Sequence, residues 1–486
     1  MKPIERVAIG LWSRVGTRFL PFADAASAEL PLPRLLRLSL FQVSVGLALA
    51  LLNGTLNRVM IVELDAPAWL VSAMIALPIV FAPLRALVGH RSDHHASALG
   101  WRRVPYIWFG TLLQFGGLAI MPFALLVLSG GGQGPAWVGE AGAAMAFLLV
   151  GAGLHTTQTA GLALATDLAA PAQRPRVVAL LYVSLLLGML GSGLLLGSLL
   201  QEFTALRLVQ VVQGAALVTV VLNGIALWKQ EARRPSAAGA ATARPSFRRA
   251  WHEFSAAPRV RRLLVAVGLG TAAFSMQDVL LEPYGGQVLG MGVGGTSLLT
   301  SITAFGALLA FALAARRLQR GSDPVRLAAA GGLVGVCAFA AVIFSEPMQA
   351  PLLFAAGAFL IGLGGGLFSV STLNEVMALE PCEATGGELV HGLALGAWGA
   401  VQATAAGVAI ALGGALRDAV SALAVSGWLG DALANPATGY SVVYHLEIAL
   451  LFATLVALGP LVRRSAGPAA ASSSSPSPFG LAEFPG

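Results

Sequence analysis

About twelve stretches of this chain are apolar for some 20 residues each, and that pattern restricts what the chain can become. A helix rises about 1.5 Å per residue, so about 20 apolar residues cross the hydrocarbon core of a bilayer. The runs fall at roughly 35–62, 67–89, 104–129, 137–166, 176–200, 205–228, 260–283, 295–316, 325–345, 350–378, 388–416 and 440–462. Charged residues make up only 11% of the chain, against about a quarter in a soluble domain. That leaves too little polar surface to cover a water-facing globule. The 58 glycines suit close helix approach in lipid.

The loops between the runs give the chain a direction. Those after runs 2, 4, 6 and 8 carry Arg102 and Arg103, Arg174 and Arg176, the cluster from Arg233 to Arg262, and Arg316, Arg317, Arg320 and Arg326. Those after runs 1, 3, 7 and 9 carry almost no cations. Lys and Arg are retained on the cytoplasmic side of a membrane, so both termini are expected to be cytoplasmic. The acidic loop after run 10 and the outer positions of Arg207 and Arg417 depart from the pattern. The formal charge of +7 sits in these short clusters, so topology explains it better than nucleic-acid binding. Two cysteines, Cys337 and Cys382, make no disulfide or metal framework, and Cys337 is read as small core filling. No cleavable signal peptide is evident.

The segment 1–34 precedes the first run and can form a short helix on the membrane surface. The longest polar interruption, 229–259, is rich in Pro, Ala and Arg and divides the runs six and six. It reads as a cytoplasmic linker between an N-terminal half, 35–228, and a C-terminal half, 260–463. The Ser-rich tail 464–486 is low-complexity and is expected to be disordered. The predicted fold class is therefore an all-α membrane protein with two six-helix halves. That architecture resembles the major facilitator superfamily. The loop between runs 2 and 3 is similar to that superfamily's glycine–aspartate–glycine–basic pattern through Gly89, Asp93, Gly100, Arg102 and Arg103, with a longer gap between Asp93 and Gly100.

Polar residues inside apolar runs call for an explanation, because a charge in mid-bilayer costs about 3 kcal/mol on insertion scales. Arg58, followed by Glu63, either snorkels to the interface or makes an ion pair facing a central cleft. Arg85 likewise either snorkels or fixes helix packing. Run 4 carries His155, Gln158 and Thr159. A neutral imidazole can hydrogen-bond a neighbouring helix or ligate a metal, such as the magnesium of a chlorin. Asp278 and Glu282 are four residues apart, which places them on one helix face where two carboxylates can share a proton. Alternatively they sit at a solvated helix end. Pro283 and Gly285–Gly286 are expected to break that helix. Glu375, His391 and His445 are further polar sites of low specificity, and the glycines 362–366 permit close helix approach. No catalytic constellation or paired-cysteine metal spacing is visible, so an enzyme is not expected.

Several long words in the chain are similar to one family. They include RFLPFADA (18–25), GTLNRVMIVEL (54–64), LPIVFAPLRALVGHRSD (77–93), GWRRVPYIWFGTLLQFGGLAIMPFALL (100–126), HTTQTAGLALATDLA (155–169) and MQDVLLEPYGGQVLGM (276–291). By these words the chain resembles the PucC-type bacteriochlorophyll-delivery family. The resemblance implies a twelve-helix protein of the bacterial inner membrane that helps assemble light-harvesting antenna complexes. It implies antenna polypeptides as partners and bacteriochlorophyll as cargo, with no permanent cofactor. Arg58, Glu63, Arg85, His155, Gln158, Asp278 and Glu282 match family words and are physically unusual, which makes them the candidates to line or gate a pigment pathway. Two readings compete on the same fold: a proton-coupled transporter of a small solute, and a non-transporting scaffold for antenna helices.

Overall fold

A computed structural model of the chain describes residues 30–80, 101–131, 135–170, 173–231, 257–378 and 388–462. The described residues are helical with short connections and contain no strand. In lipid a helix satisfies its own backbone, and this is why apolar runs of such length become helices. In chain order they are α1 (Leu32–Glu63), α2 (Ala68–Val80), α3 (Val104–Leu126), α4 (Ala136–Leu168), α5 (Arg174–Leu199) and α6 (Ala205–Leu227). The second set is α7 (Pro258–Gln287), α8 (Val293–Gln319), α9 (Pro324–Ser345), α10 (Pro351–Met377), α11 (Glu388–Val425) and α12 (Ala437–Leu458). Eleven helices are long and apolar enough to cross a membrane, and α2 is described for 13 residues, as far as Val80. The protein is thus a multi-pass membrane protein of the major facilitator type. The expected surface segment, the linker from 232 to 256 and the tail from 463 onward lie outside the described residues.

Local chemistry explains where the helices start. Pro105, Pro258, Pro324 and Pro351 sit in the first turn of α3, α7, α9 and α10, where a missing N–H costs nothing. Thr204 Oγ1 accepts the Arg207 N–H at 3.1 Å and caps α6. Asp323 Oδ1 accepts the Val325 N–H at 2.9 Å and caps α9. At α3 a remote residue does this work. The Glu231 carboxylate accepts the backbone N–H groups of Arg102 at 2.8 Å, Arg103 at 3.1 Å and Val104 at 3.0 Å. An anion at a helix N-terminus is also favoured by the helix dipole.

Three expectations are corrected. The helix around Asp278 does not break at Pro283. It narrows to a single 3₁₀ turn earlier, at Met276–Val279, and resumes as Leu281–Gln287. Pro283 falls in the first turn of that resumed segment, where it is tolerated. Run 11 extends past 416, since α11 continues to Val425. Cys337 is exposed on α9 and does not fill the core.

The two halves meet along α2 with α11, α5 with α8, and the irregular parts of α1 with α7. α1 is π-helical over Ala50–Leu56 and again over Val59–Glu63, a distortion that recurs at functional sites. Hydrophobicity does not drive helices together inside lipid, so contact rests on packing and hydrogen bonds. In α10, a Cβ at Gly362 would overlap the Thr303 carbonyl of α8, whereas a Cβ at Gly365 would meet Phe274 at an ordinary 3.4 Å. Gly362→Ala should therefore cost about 1–3 kcal/mol of stability, as overpacking does. Gly365→Ala should stay within about 0.5 kcal/mol. Thermal unfolding of the detergent-purified variants checks the contrast, and equal melting temperatures would contradict it.

Candidate functional site

The irregular parts of α1 and α7 face each other, and the buried polar side chains gather there. Arg58 is 3% exposed. Its guanidinium pairs with Glu63 and donates to the Met291 carbonyl at 3.1 Å in the α7–α8 connection. Gly286 lets it lie there, because a Cβ would sit 3.1 Å from its Nε. Arg58 is therefore buried by protein and ties one half to the other. Around it, Thr55 Oγ1 and Ser297 Oγ share a hydrogen bond of 2.9 Å. Asn57 Nδ2 donates to the Asp278 carbonyl at 3.4 Å, and Ser301 Oγ donates to the Leu190 carbonyl at 2.7 Å. Gln287 Nε2 donates to the Ile61 carbonyl at 3.4 Å. The Trp69 N–H at the start of α2 donates to Asp418 Oδ2 of α11 at 2.8 Å. All these bonds lie in the part of the bundle that carries the α1–α2 and α7–α8 connections.

The expected carboxylate pair is rearranged. Glu282 is 4% exposed and accepts from Thr300 Oγ1 of α8 at 2.7 Å. Its Oε1 occupies the space that a Cβ at Gly54 of α1 would fill. Asp278 accepts instead from the Gln277 side chain. The two acids make no hydrogen bond to each other, because the 3₁₀ turn offsets the face that a continuous helix would have given them. At this junction, Glu282 Oε2, Asn57 Oδ1 and Arg58 Nε are buried without a hydrogen-bond partner.

On α4, His155 and Gln158 are half-buried, and Thr159 Oγ1 donates to the His155 carbonyl at 2.7 Å. One turn earlier, Pro78 of α2 packs directly on Gly151. His155 and Gln158 lie one to two turns further along α4 from that contact. Arg85, Gly89, Asp93 and Gly100 lie outside the described residues. Of the loop pattern, Arg103 is buried and its Nε donates to Asp167 Oδ2 of α4 at 3.1 Å. Arg102 and Arg103 also offer their backbone N–H groups to Glu231. This end of the N-terminal half is thus held by ionic contacts among α3, α4 and α6.

Sequence reasoning missed Glu447 and a buried tyrosine cluster, and it named Arg417 and Glu375 without their partners. Glu447 of α12 is 0% exposed, and no side chain donates to either of its oxygens. It was visible as the one carboxylate in the last apolar run, two residues from the exposed His445. Tyr284, Tyr440 and Tyr444 form a buried aromatic cluster with ring centroids 5.5 Å apart. Arg417 binds Asp418 at 2.7 Å and lies 4.6 Å above the Tyr440 ring, with Gln287 as a further acceptor. Glu375 is 2% exposed and accepts from Arg259 Nη2 at 2.7 Å, joining α10 to the start of α7.

A Thr55→Cys/Ser297→Cys pair, placed in a background with Cys337→Ser and Cys382→Ser, should form a disulfide on mild oxidation. After cleavage at a protease site inserted near residue 240, the two fragments should run as one band without reductant. Two bands under oxidising conditions would contradict the contact.

Comparison with known proteins gives the lineage. The model of the family described as PUCC protein matches residues 55–466. An uncharacterized protein in the puhA-bchM intergenic region of Rhodobacter capsulatus is 56% identical over 96% of this chain and 97% of its own length. Protein PucC of Rhodovulum sulfidophilum is 56% identical over 86% of this chain and 92% of its own. The bacteriochlorophyll synthase 44.5 kDa chain of Rhodobacter capsulatus is 29% identical over 89% and 96%. Among solved structures, a bacterial homologue of the iron transporter ferroportin, in an inward-facing state, superposes with a TM-score of 0.62 at 14% identity, covering 89% of this chain and 99% of that one. The nucleoside transporter NupG superposes with a TM-score of 0.60 at 14% identity, covering 87% and 98%. These structures share the fold alone. On the family match and the close relatives, this chain belongs to the PucC family.

Proposed function

We propose that this protein is an integral membrane assembly factor for photosynthetic light-harvesting antenna complexes, and that it delivers bacteriochlorophyll to antenna polypeptides. The observation that carries the reading is a set of buried, incompletely paired polar groups at the α1–α7 junction of a PucC-family chain with a transporter's fold. Glu282 Oε2 and Asn57 Oδ1 are polar atoms enclosed by apolar helices, and His155 lies half-buried on α4. A chlorin presents the matching chemistry: a magnesium ion that accepts a nitrogen or oxygen ligand, set in an apolar ring with a hydrocarbon tail. Membership of a family that includes a relative named for bacteriochlorophyll synthase adds support.

In this reading the membrane is the bacterial inner membrane, and both termini face the cytoplasm. The basic connections of the even-numbered helices support that orientation. Arg58, Asn57, Thr55 and Asp418 then hold the two halves together at the periplasmic end. His155 and Gln158 then lie in the cytoplasmic part of α4, on the side from which pigment would be supplied. His155 would meet the magnesium, Glu282 would orient the ring or hold a proton, and the apolar helix faces would accept the tail. The protein itself carries out no bond chemistry.

A second reading is a proton-coupled transporter of a small solute, and the buried acids Glu282 and Glu375, with the half-buried Asp278, favour it. In a pigment-producing host, His155→Ala and Glu282→Gln should each lower assembled antenna several-fold while membrane levels of the protein hold steady. Absorption spectra of isolated membranes, with immunoblots for the protein, measure this. Normal antenna in both variants would contradict these roles. Uptake of a solute into proteoliposomes under a pH gradient would favour the second reading.

A further inference from the structure

α7 presents its 3₁₀ turn, Met276–Val279, to α1 on one side and to α12 on the other. On the α1 side the Asp278 carbonyl accepts from Asn57. On the α12 side stands Glu447, 0% exposed, near the Gln277 backbone and Asp278. The Tyr444 hydroxyl, one turn before Glu447 and also buried, makes no hydrogen bond. Among the described residues, no cation pairs with Glu447. α9 presents Gly335 to Leu451 and Phe339 to Tyr444, neither of them titratable. The Arg417–Asp418 pair of α11 is held by Gln287, Tyr440 and Trp69. Arg58 of α1 is engaged by Glu63 and Met291. Among the described residues, no Lys or Arg forms an ion pair with Asp278, Glu282 or Glu447.

We propose that Glu447 of α12 and Asp278 of α7 form a proton-binding site inside the membrane, occupied in the conformation described here. A charge on Glu447, which has no exposed surface and no side-chain donor, is compensated by neither water nor a cation among the described residues, and the half-buried Asp278 beside it adds a like charge. A proton on one of them removes a charge and supplies a donor to the other. The placement gives the proton a consequence. Asp278 is bonded through its backbone to Asn57 of the opposite half, so a charge appearing at the pair loads the turn on which the α1–α7 contact depends. Unwound helix segments near the bilayer midplane are where transporters of this architecture place coupling ions. The site lies on the far side of the turn from the pigment contacts proposed above and does not depend on what the cargo is.

Infrared spectra of the full-length protein in lipid nanodiscs test the site directly, each variant and its parent carrying Glu282→Gln so that the other buried acid gives no band. The parent at neutral pH should show a carboxylic-acid C=O band that shifts in D2O. Glu447→Gln should lose that band, Asp278→Asn should lose or shift it, and Glu447→Asp should move it. Glu231→Gln, which alters the helix cap at α3, should leave it in place. A band that persists unchanged in both Glu447→Gln and Asp278→Asn, or that is absent from the parent, would overturn the proposal. The assay reads neither pigment nor antenna, so its failure is separable from failure of the delivery reading.

Discussion

The structure depends on one guanidinium that the bilayer will not solvate. Arg58 is embedded among apolar helices, and a charge there is tolerable only with a counter-charge and further acceptors. Glu63 supplies the counter-charge from its own helix. The Met291 carbonyl comes from the other half of the protein, with Gly286 making room. Because the half-domains share no hydrophobic drive to associate inside lipid, such contacts decide how they sit. The Thr55–Ser297, Trp69–Asp418 and Gln287–Ile61 bonds extend the same seam.

The helices at that seam are irregular in complementary ways. α1 widens into π-helix where α7 tightens into a 3₁₀ turn. A widened helix displaces carbonyls from their usual partners, and a broken one frees a register, so each accommodates polar groups that a straight helix could not bury. Glu282 fits against Gly54 because of this, and Asp278 turns away from Glu282 for the same reason. The far end of the N-terminal half is built differently. There, Arg103–Asp167 and the Glu231 cap on α3 hold helices of one half to each other. Among the described residues, the named contacts at one end cross between the halves and those at the other end stay within a half.

Much of this was legible in the sequence. Helix number followed from apolar run length, because that is fixed by bilayer thickness. Arg58 and Glu282 stood out as charges within such runs. The offset between Asp278 and Glu282 was not legible, because four-residue spacing implies a shared face only while the helix is regular. The early break and the harmless Pro283 could not be told apart by composition. Glu447 could have been found by asking which carboxylates lie inside apolar runs, a question that His445 obscured. The Trp69–Asp418 and Arg58–Met291 contacts join residues more than 200 positions apart, one of them through a backbone carbonyl, and no local pattern encodes them.

The most direct test of the central claim, that this polar seam serves the passage of a chlorin, is to purify the protein in mild detergent from a pigment-producing host. Its absorption spectrum and the chains that accompany it are then recorded. The account predicts a bacteriochlorophyll band that travels with the protein, together with antenna polypeptides. Pigment-free protein with no antenna polypeptides, obtained from membranes rich in both, would contradict it.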